Sequence, residues 1–567
     1  MSSGTNKERI EQNNSLIQNN NTKITNVATV VNTLSGLTKD EYNACLELAS
    51  SIETDVDYSD ATATAYDIRQ GKIAYAKGER LVGAMMDTNT IMSADGLTTF
   101  TVKSGIRYIE KIDLPDDCTN LTGAFQGLDN IETAPQMDTS NVHTFTQIFD
   151  GCVNLKKFPD IDTSNAVTMD YAFRNCKSLT GDISLDTSKC HTLTGAFANC
   201  EGIENVVLST TKATNTSSLF NGCKSLKTVG ELDVNVSNFD LGSMFKDCEN
   251  LEEVTFTKNL SDDARAPSMF ENCYKLKNIP FDIITGSVSS GFGNKKAMFK
   301  NCTSLKSATI QAVTYSSVGY YYGEGSLESC FQGCTNLETV TMPDVNRRLN
   351  SSLAYAFKDC TSLKEITLCY LGGSLEYTFT GCTSLEKVTS MIVGYNTASN
   401  YTFSGCTNLK TVDLTLTNGG TLNYWFKDCT SLTAIPQGII DATATVAFRN
   451  TFEGCTGLTA LPEDLFKNSK LIQIVGAFKN CTGLVTVPQY DLSRMTSFGY
   501  WGEAFAGCTA LSDESLNNIM ASFATVGATA TTNKTLKYLG LSEEQATKCT
   551  TLSNYQAFVN AGWSTGY

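Results

Sequence analysis

The sequence predicts an α/β solenoid, a chain wound into stacked coils that share a parallel sheet. A short trimeric coiled coil precedes the solenoid and a small helical C-terminal cap closes it. Three observations carry the prediction. A Phe-x-x-Cys-x-x-Leu unit recurs about every 25 residues from residue 125 to 511, most copies are followed by an alternating apolar run, and a heptad pattern is confined to the first 38 residues. These give four segments: a stalk at 1–38, a small module at 39–100, the solenoid of about 16 coils at 101–511 and the cap at 512–567.

The repeat is the strongest signal. Complete copies include Phe149-Cys152-Leu155, Phe173-Cys176-Leu179, Phe245-Cys248-Leu251, Phe357-Cys360-Leu363 and Phe505-Cys508-Leu511. The first copy, Phe125-Leu128-Ile131, lacks the Cys, and Phe197-Cys200 ends in Ile203. One such unit is too short to bury a core alone, whereas stacked units bury a continuous one. The runs after Leu251, Leu337, Leu363 and Leu409 alternate apolar with Lys, Glu or Thr and read as strands with one buried face. Strands of successive coils then pair in parallel at ~4.8 Å. Small residues before the repeat Phe, such as Ala172 and Ala196, suit a short turn or helix on the back of the coil.

With Asp138-Thr-Ser-Asn141 and Asp162-Thr-Ser-Asn165 leading into Phe149 and Phe173, the pattern resembles the BspA-like leucine-rich repeats of bacterial surface lipoproteins. That resemblance implies a leucine-rich-repeat solenoid and, for function, surface recognition; the fold itself hosts many partners.

Fifteen of the 21 Cys occupy the repeat position, while Cys45, Cys118, Cys190, Cys330, Cys369 and Cys549 do not. One Cys per coil and an odd total favour a ladder of small buried thiols over a disulfide framework or a metal array.

At the N-terminus, Ile10, Ile17, Ile24 and Val31 fill heptad position a, and Asn13, Asn20, Val27 and Leu34 fill position d. Polar core layers cost stability but set register and oligomer number. These Ile-x-x-Asn heptads resemble the stalks of trimeric fibrous adhesins and tail fibres, which implies a homotrimer. Between Asp60 and Gly83, alternation at Ile73, Tyr75 and Leu81 around Lys77-Gly78 reads as a hairpin. The run Ala61-Thr-Ala63 to Asp67-Ile68 to Gly71-Lys72 to Ala74-Tyr75 resembles a short module of tail and fibre proteins of phages infecting gut bacteria. Met1 to Asn21 is polar, without the apolar run of a secretory signal. No stretch is long and apolar enough for membrane insertion. The expectation is synthesis and folding in a host bacterial cytoplasm, with reduced thiols, and residence in a virion tail.

After Leu511 the pattern becomes helical. Leu516, Ile519, Met520 and Phe523 share a face behind caps at Ser512 and Asp513. Two capping boxes follow, Ser542-x-x-Gln545 and Ser553-x-x-Gln556, with Gly562 as the stop. A cap for the open end of the solenoid is the reading; a receptor-binding tip is its rival.

Composition excludes several functions. A net charge of −16 and a pI near 4.8 argue against nucleic-acid binding, which requires Lys and Arg to displace counterions. Two histidines, His143 and His191, cannot supply many metal triads. No nucleophile elbow, phosphate loop or HExxH occurs, so no catalytic residue, metal ligand or cofactor is assigned and the protein reads as non-enzymatic. Accidental carboxylate pairs among 59 acidic residues keep a polysaccharide depolymerase as an alternative.

Binding features are better defined. The widest gaps, Phe270 to Phe299 and Phe299 to Phe331, imply insertions. The second insertion carries Tyr315, Tyr320, Tyr321 and Tyr322 among Ser and Gly, the composition of adaptable binding surfaces. Two residues before the repeat Phe, a Tyr recurs in successive coils at Tyr355, Tyr377, Tyr401 and Tyr424. Packing with only the hydroxyls at the surface is the competing reading of that row. Trp425 and Trp501 read as core. Outward Thr255, Thr309, Thr341, Thr367 and Asp413 form a weakly charged, hydroxyl-rich face. The sequence therefore points to a phage tail-fibre or receptor-binding protein. Its partners are a host cell-surface glycan or protein and other tail proteins, and it acts by multivalent adhesion. A bacterial BspA-type adhesin is the second reading.

Overall fold

A repeat of 25 residues needs a rule that brings the chain back on itself, and backbone hydrogen bonds show what it is. Around Phe357, alternate amides do different work. Tyr355, Phe357 and Asp359 donate to Glu376, Thr378 and Thr380 of the next coil at 2.8–2.9 Å, whereas Ala356, Lys358 and Cys360 close turns onto Leu353, Tyr355 and Phe357 of their own coil. The same alternation recurs around Phe125, Phe220, Phe299, Phe403 and Phe478. The backbone on this side of the coil is thereby largely paired, without a helix. A turn, not a helix, lies on the back of the coil.

A computed structural model describes residues 118–566 apart from 234–239, 258–263, 282, 286–293, 313–325, 343–347, 350–351, 394–398, 417–419, 441–444, 467–469, 494–501 and 527–537. Ahead of them it describes residue 114 and two strands at 74–81. The chain divides into two units, Met1–Thr180 and Gly181–Tyr567.

In the first unit β1 (Ala74–Ala76) pairs antiparallel with β2 (Glu79–Leu81), Ala74 opposite Leu81, as the alternation predicts. The rings of Phe125, Phe149 and Phe173 stack at 4.8 and 5.5 Å, fully buried. Parallel bridges join Asn120, Thr144 and Thr168. The Asp-Thr-Ser signature proves to be an inter-coil staple. The Asp138 carboxylate accepts the Ser140 amide, while the buried Thr139 hydroxyl donates to Asp162 O at 2.9 Å and accepts the Asp162 amide at 2.7 Å. Arg174 grips buried Asp150 through two parallel bonds of 2.9 and 2.6 Å.

The second unit carries the parallel sheets. β3 (Thr180–Ser184), β4 (Gly202–Val207), β5 (Thr228–Leu232) and β6 (Glu253–Phe256) form one. β7 (Ile283–Thr285), β8 (Ser307–Ala312) and β9 (Thr339–Thr341) form the next. A third joins β10 (Arg348–Leu349), β11 (Glu365–Thr367), β12 (Tyr370–Leu371), β13 (Lys387–Val393) and β14 (Thr411–Leu416). β15 (Gly420–Thr421), β16 (Thr445–Ala447) and β17 (Lys470–Gln473) complete the set, with a single turn of helix, α1 (Gln437–Ile440), between β15 and β16.

Register follows the repeat. The third residue after the repeat Leu pairs with its counterpart in the next coil, as in Val206–Val229–Val254 and Ile366–Val388–Val412. Behind the sheets, Phe rings from Phe197 to Phe505 stack at 5.2–5.8 Å. The two long insertions leave this stack intact, since Phe270–Phe299 and Phe299–Phe331 lie 5.3 and 5.7 Å apart. Extra residues are thus confined to the connections.

After Leu511 come α2 (Asp513–Ala524), α3 (Glu543–Cys549) and α4 (Tyr555–Asn560). Ser512 caps α2 by accepting the Ser515 amide, and Leu516, Ile519, Met520 and Phe523 are buried as their spacing predicts. The same helix serves the edge of the last coil. Ser515 and Ser522 accept the amides of Val487 and Tyr490, Thr525 accepts that of Leu492, and Asn518 donates to Val487 O. These side chains satisfy backbone groups of residues 487–492 that have no further coil to pair with. The Ser542–Gln545 capping box is present. The Ser553–Gln556 box is not: Ser553 and the Asn554 amide are drawn instead onto Asn517 of α2, so α4 begins at Tyr555 without a side-chain cap. Gly562 ends α4 at φ 83°, a left-handed position that glycine takes without strain.

Candidate functional site

The repeat cysteines are buried and unpaired in disulfides throughout the described residues. Their thiols do more than fill space. Repeat thiols donate to the carbonyl of the Phe one coil earlier, as Cys152 does to Phe125, Cys273 to Phe245, Cys360 to Phe331 and Cys429 to Phe403, at 3.0–3.2 Å. Burial pushes these thiols well above their ordinary range, as at Cys248, Cys273 and Cys360, so they stay protonated and unreactive. Among the described residues no cluster of three or more His, Cys, Asp or Glu is placed to hold a metal ion.

The tyrosine row is where the back of the coil becomes distinctive. Two residues on either side of every described repeat Phe the backbone is left-handed. On the C-terminal side that position is always Gly, Asn or Asp, the types that adopt it at least cost. On the N-terminal side the choice is wide, including Gly123, Ser218, Ser268, Ala297, Asn450 and Glu503. Tyr355, Tyr377, Tyr401 and Tyr424 hold this conformation at φ 56–60°. A bulky residue is an outlier there. Stacking offsets the strain, for the rings lie face to face at 4.9, 4.8 and 4.4 Å with planes within 9°.

All four rings are half-buried. Burial, then the neighbouring Tyr377, raises the Tyr355 hydroxyl; burial, then Tyr424 and Tyr377, raises that of Tyr401, with a hydrogen bond to Tyr424 adding to the effect. Beside the tyrosines runs a second row, three residues on: Lys358, Thr380, Ser404 and Lys427 each donate their amide to the carbonyl of the Tyr in their own coil. The Lys358 ammonium lies 6.0 Å over the Tyr355 ring, and Lys427 is neutralised by Glu453 at 2.8 Å. Preceding Tyr401 and Tyr424 are Asn400 and Asn423, whose side-chain oxygens are buried without hydrogen-bond partners. Trp425, fully buried as predicted, leaves its indole N–H unsatisfied beside them. These three atoms fall in two adjacent coils of the ladder.

Of the residues singled out by sequence, the structure brings together Tyr355, Tyr377, Tyr401 and Tyr424 as one stack. It buries Phe149, Cys152, Leu155, Phe357, Cys360 and Leu363 completely. Thr255, Thr341, Thr367 and Asp413 are exposed as predicted, and Thr309 is half-buried. The heptad residues Ile10, Asn13, Ile17, Asn20, Ile24, Val27, Val31 and Leu34 lie outside the described residues, as do Tyr315, Tyr320, Tyr321, Tyr322 and Trp501. Sequence reading missed the Lys358–Lys427 row; its signal was the fixed offset of three residues from each Tyr. It also missed Lys295, a lysine in a slot that Leu fills in other coils. That side chain is 2 % exposed and donates to Ala264 O at 3.0 Å.

The family model of the BspA type leucine-rich repeat region matches residues 103–227, 143–277, 241–329 and 326–459. No curated protein matches the chain in sequence. Among solved structures, a leucine-rich repeat protein from Bacteroides ovatus is 18% identical, with 75% of this chain and 91% of that one covered and a TM-score of 0.40. A leucine rich cell surface protein from Faecalibacterium prausnitzii is 16% identical over 67% of this chain and 94% of that one, with a TM-score of 0.28. A leucine-rich repeat protein from Eubacterium ventriosum is 17% identical over 63% and 90%, with a TM-score of 0.24. The repeat model alone spans more than half of the sequence, and the chain belongs to the BspA-type leucine-rich repeat family.

Proposed function

We propose that the protein is a recognition component of a bacteriophage tail whose solenoid binds the surface of the bacterial host. The observation that carries recognition is the tyrosine stack, four half-buried aromatic side chains held in successive coils at a left-handed position that bulky residues rarely adopt. Support for the tail comes from the sequence, in the Ile-x-x-Asn heptads and the Ala61 to Tyr75 module. Three solenoids on one trimeric stalk would multiply a weak contact through high effective concentration. Family membership favours a second reading, a BspA-type adhesin displayed on a bacterial cell. Antibody labelling separates the two. Label on the tails of purified virions supports the first; label on intact uninfected cells, with none on virions, overturns it in favour of the second. Incubation with host polysaccharide tests the non-enzymatic reading, which shortening of the chains would refute.

A further inference from the structure

We propose that the Tyr355–Tyr377–Tyr401–Tyr424 ladder is a binding site for a linear, uncharged polysaccharide lying along the stack, one sugar unit per coil. The inference rests on the reading that this solenoid recognises a surface, and adds which polymer the ladder selects. Three observations carry it.

The first is register. The rings repeat at 4.9, 4.8 and 4.4 Å. An extended peptide advances about 3.3 Å per residue and roughly twice that per same-facing side chain, so it cannot meet successive tyrosines. A pyranose ring is itself about as long as one step of the ladder.

The second is the manner of presentation. Each inner ring has both faces covered by its neighbours, which leaves edges and hydroxyls to make contacts. A line of phenol groups offers donors and acceptors along the stack, whereas the Thr380 hydroxyl in the flanking row is already spent on Tyr401 O at 2.6 Å. A polyhydroxylated chain matches that line, whereas a flat apolar ligand requires an open ring face.

The third is charge. Within the flanking row Lys427 is already paired with Glu453, and Thr380 and Ser404 are neutral. Only Lys358, at one end, carries a charge with no ion pair among the described residues. Glu376, half-buried beside Tyr377, accepts from the Asn400 side-chain amide at 3.1 Å and is opposite in sign to Lys358, so the ladder carries no excess of either charge, which favours an uncharged polymer.

The test uses the full chain, labelled, on a panel of gut bacterial isolates left untreated, oxidised with periodate, or digested with protease. It is repeated on the isolated surface polysaccharide of a cell that binds. Two double variants accompany it. Tyr377→Ser with Tyr401→Ser uses the residue that Ser218, Ser243, Ser268 and Ser329 show to be accepted at this backbone angle. Tyr377→Phe with Tyr401→Phe keeps the stack and removes only the hydroxyls. The expected result is binding that survives protease, is lost after periodate, transfers to the isolated polysaccharide, and falls at least about tenfold in both variants. Binding that is lost to protease and kept after periodate overturns the polysaccharide while leaving surface recognition standing. Full binding by folded variants overturns the ladder as its site. Absence of binding to every isolate overturns the proposed function and this inference together.

Discussion

Replacing Cys360 separates the two things a repeat cysteine can do. Its sulfur is fully buried and donates to Phe331 O at 3.1 Å, and that carbonyl also accepts the Cys334 amide at 3.1 Å. Cys360→Ala removes a buried atom and a hydrogen bond, but the second donor keeps Phe331 O from being orphaned. The loss is then about 1 kcal/mol of apolar burial plus about 0.5–1.5 kcal/mol for the bond, without the further desolvation penalty of an unpaired carbonyl. Cys360→Ser gives up the apolar term but keeps a donor aimed at the same oxygen, so it costs about 1 kcal/mol, less than Ala. Were the thiol only a filler, the serine hydroxyl would be buried without a partner and cost about 1–3 kcal/mol more than Ala. Urea unfolding followed by circular dichroism, with hydrogen exchange at the Phe357 and Cys360 amides, reads the difference where a long solenoid departs from two-state behaviour. A serine variant clearly less stable than the alanine variant would refute the thiol–carbonyl ladder.

Alkaline solution attacks the same ladder. Burial raises the folded-state pKa of the repeat thiols Cys248, Cys273, Cys360 and Cys406 well above the ordinary range, and pushes that of Cys330, which lies outside the repeat position, up to about 12. Their stability contribution is complete below the unfolded thiol value of about 8.5 and is lost as pH rises above it, because only the unfolded chain then releases protons. The urea midpoint, measured in reductant, should hold steady up to about pH 8 and fall by pH 10; a flat profile would contradict the burial. Lys295→Met should raise the midpoint, since an ammonium in an apolar slot gives way to a side chain of similar length; a lower midpoint would show that the bond to Ala264 outweighs desolvation. Tyr377→Ser should leave stability within about 1 kcal/mol, because relief of left-handed strain and loss of two ring contacts are of similar size. A loss of several kcal/mol would make the stack a packing device. Deletion of residues 1–38 should convert a trimer to a monomer in light scattering, and an unchanged mass would dismiss the stalk.

Much of the architecture is legible because the coil is local. Phe, Cys and Leu at fixed offsets mark the buried rows, and the alternation after Leu marks strands such as β6, β11 and β14. One further row was available and passed over. The residue after the repeat Leu changes sign between many neighbouring coils, and the structure pairs Lys227 with Glu204, Lys277 with Glu252 and Lys410 with Glu386 at 2.5–2.7 Å. Such exposed pairs contribute about 0–1 kcal/mol, so they bear more on register than on stability. The Ser553 capping box failed for a non-local reason, since Asn517, distant in sequence, competes for the same donors.

The sequence by itself determined the coil and its buried rows, because each depends on spacing within one repeat. It also placed four tyrosines at one repeat position. Only the tertiary structure decided what that position is. Stacking places Phe carbonyls within reach of the next coil's thiol, makes the position two before Phe left-handed, and sets the tyrosine rings 4.4–4.9 Å apart. Backbone handedness and ring spacing come from hydrogen bonds between coils, whose partners lie more than twenty residues away and leave no local trace in the chain.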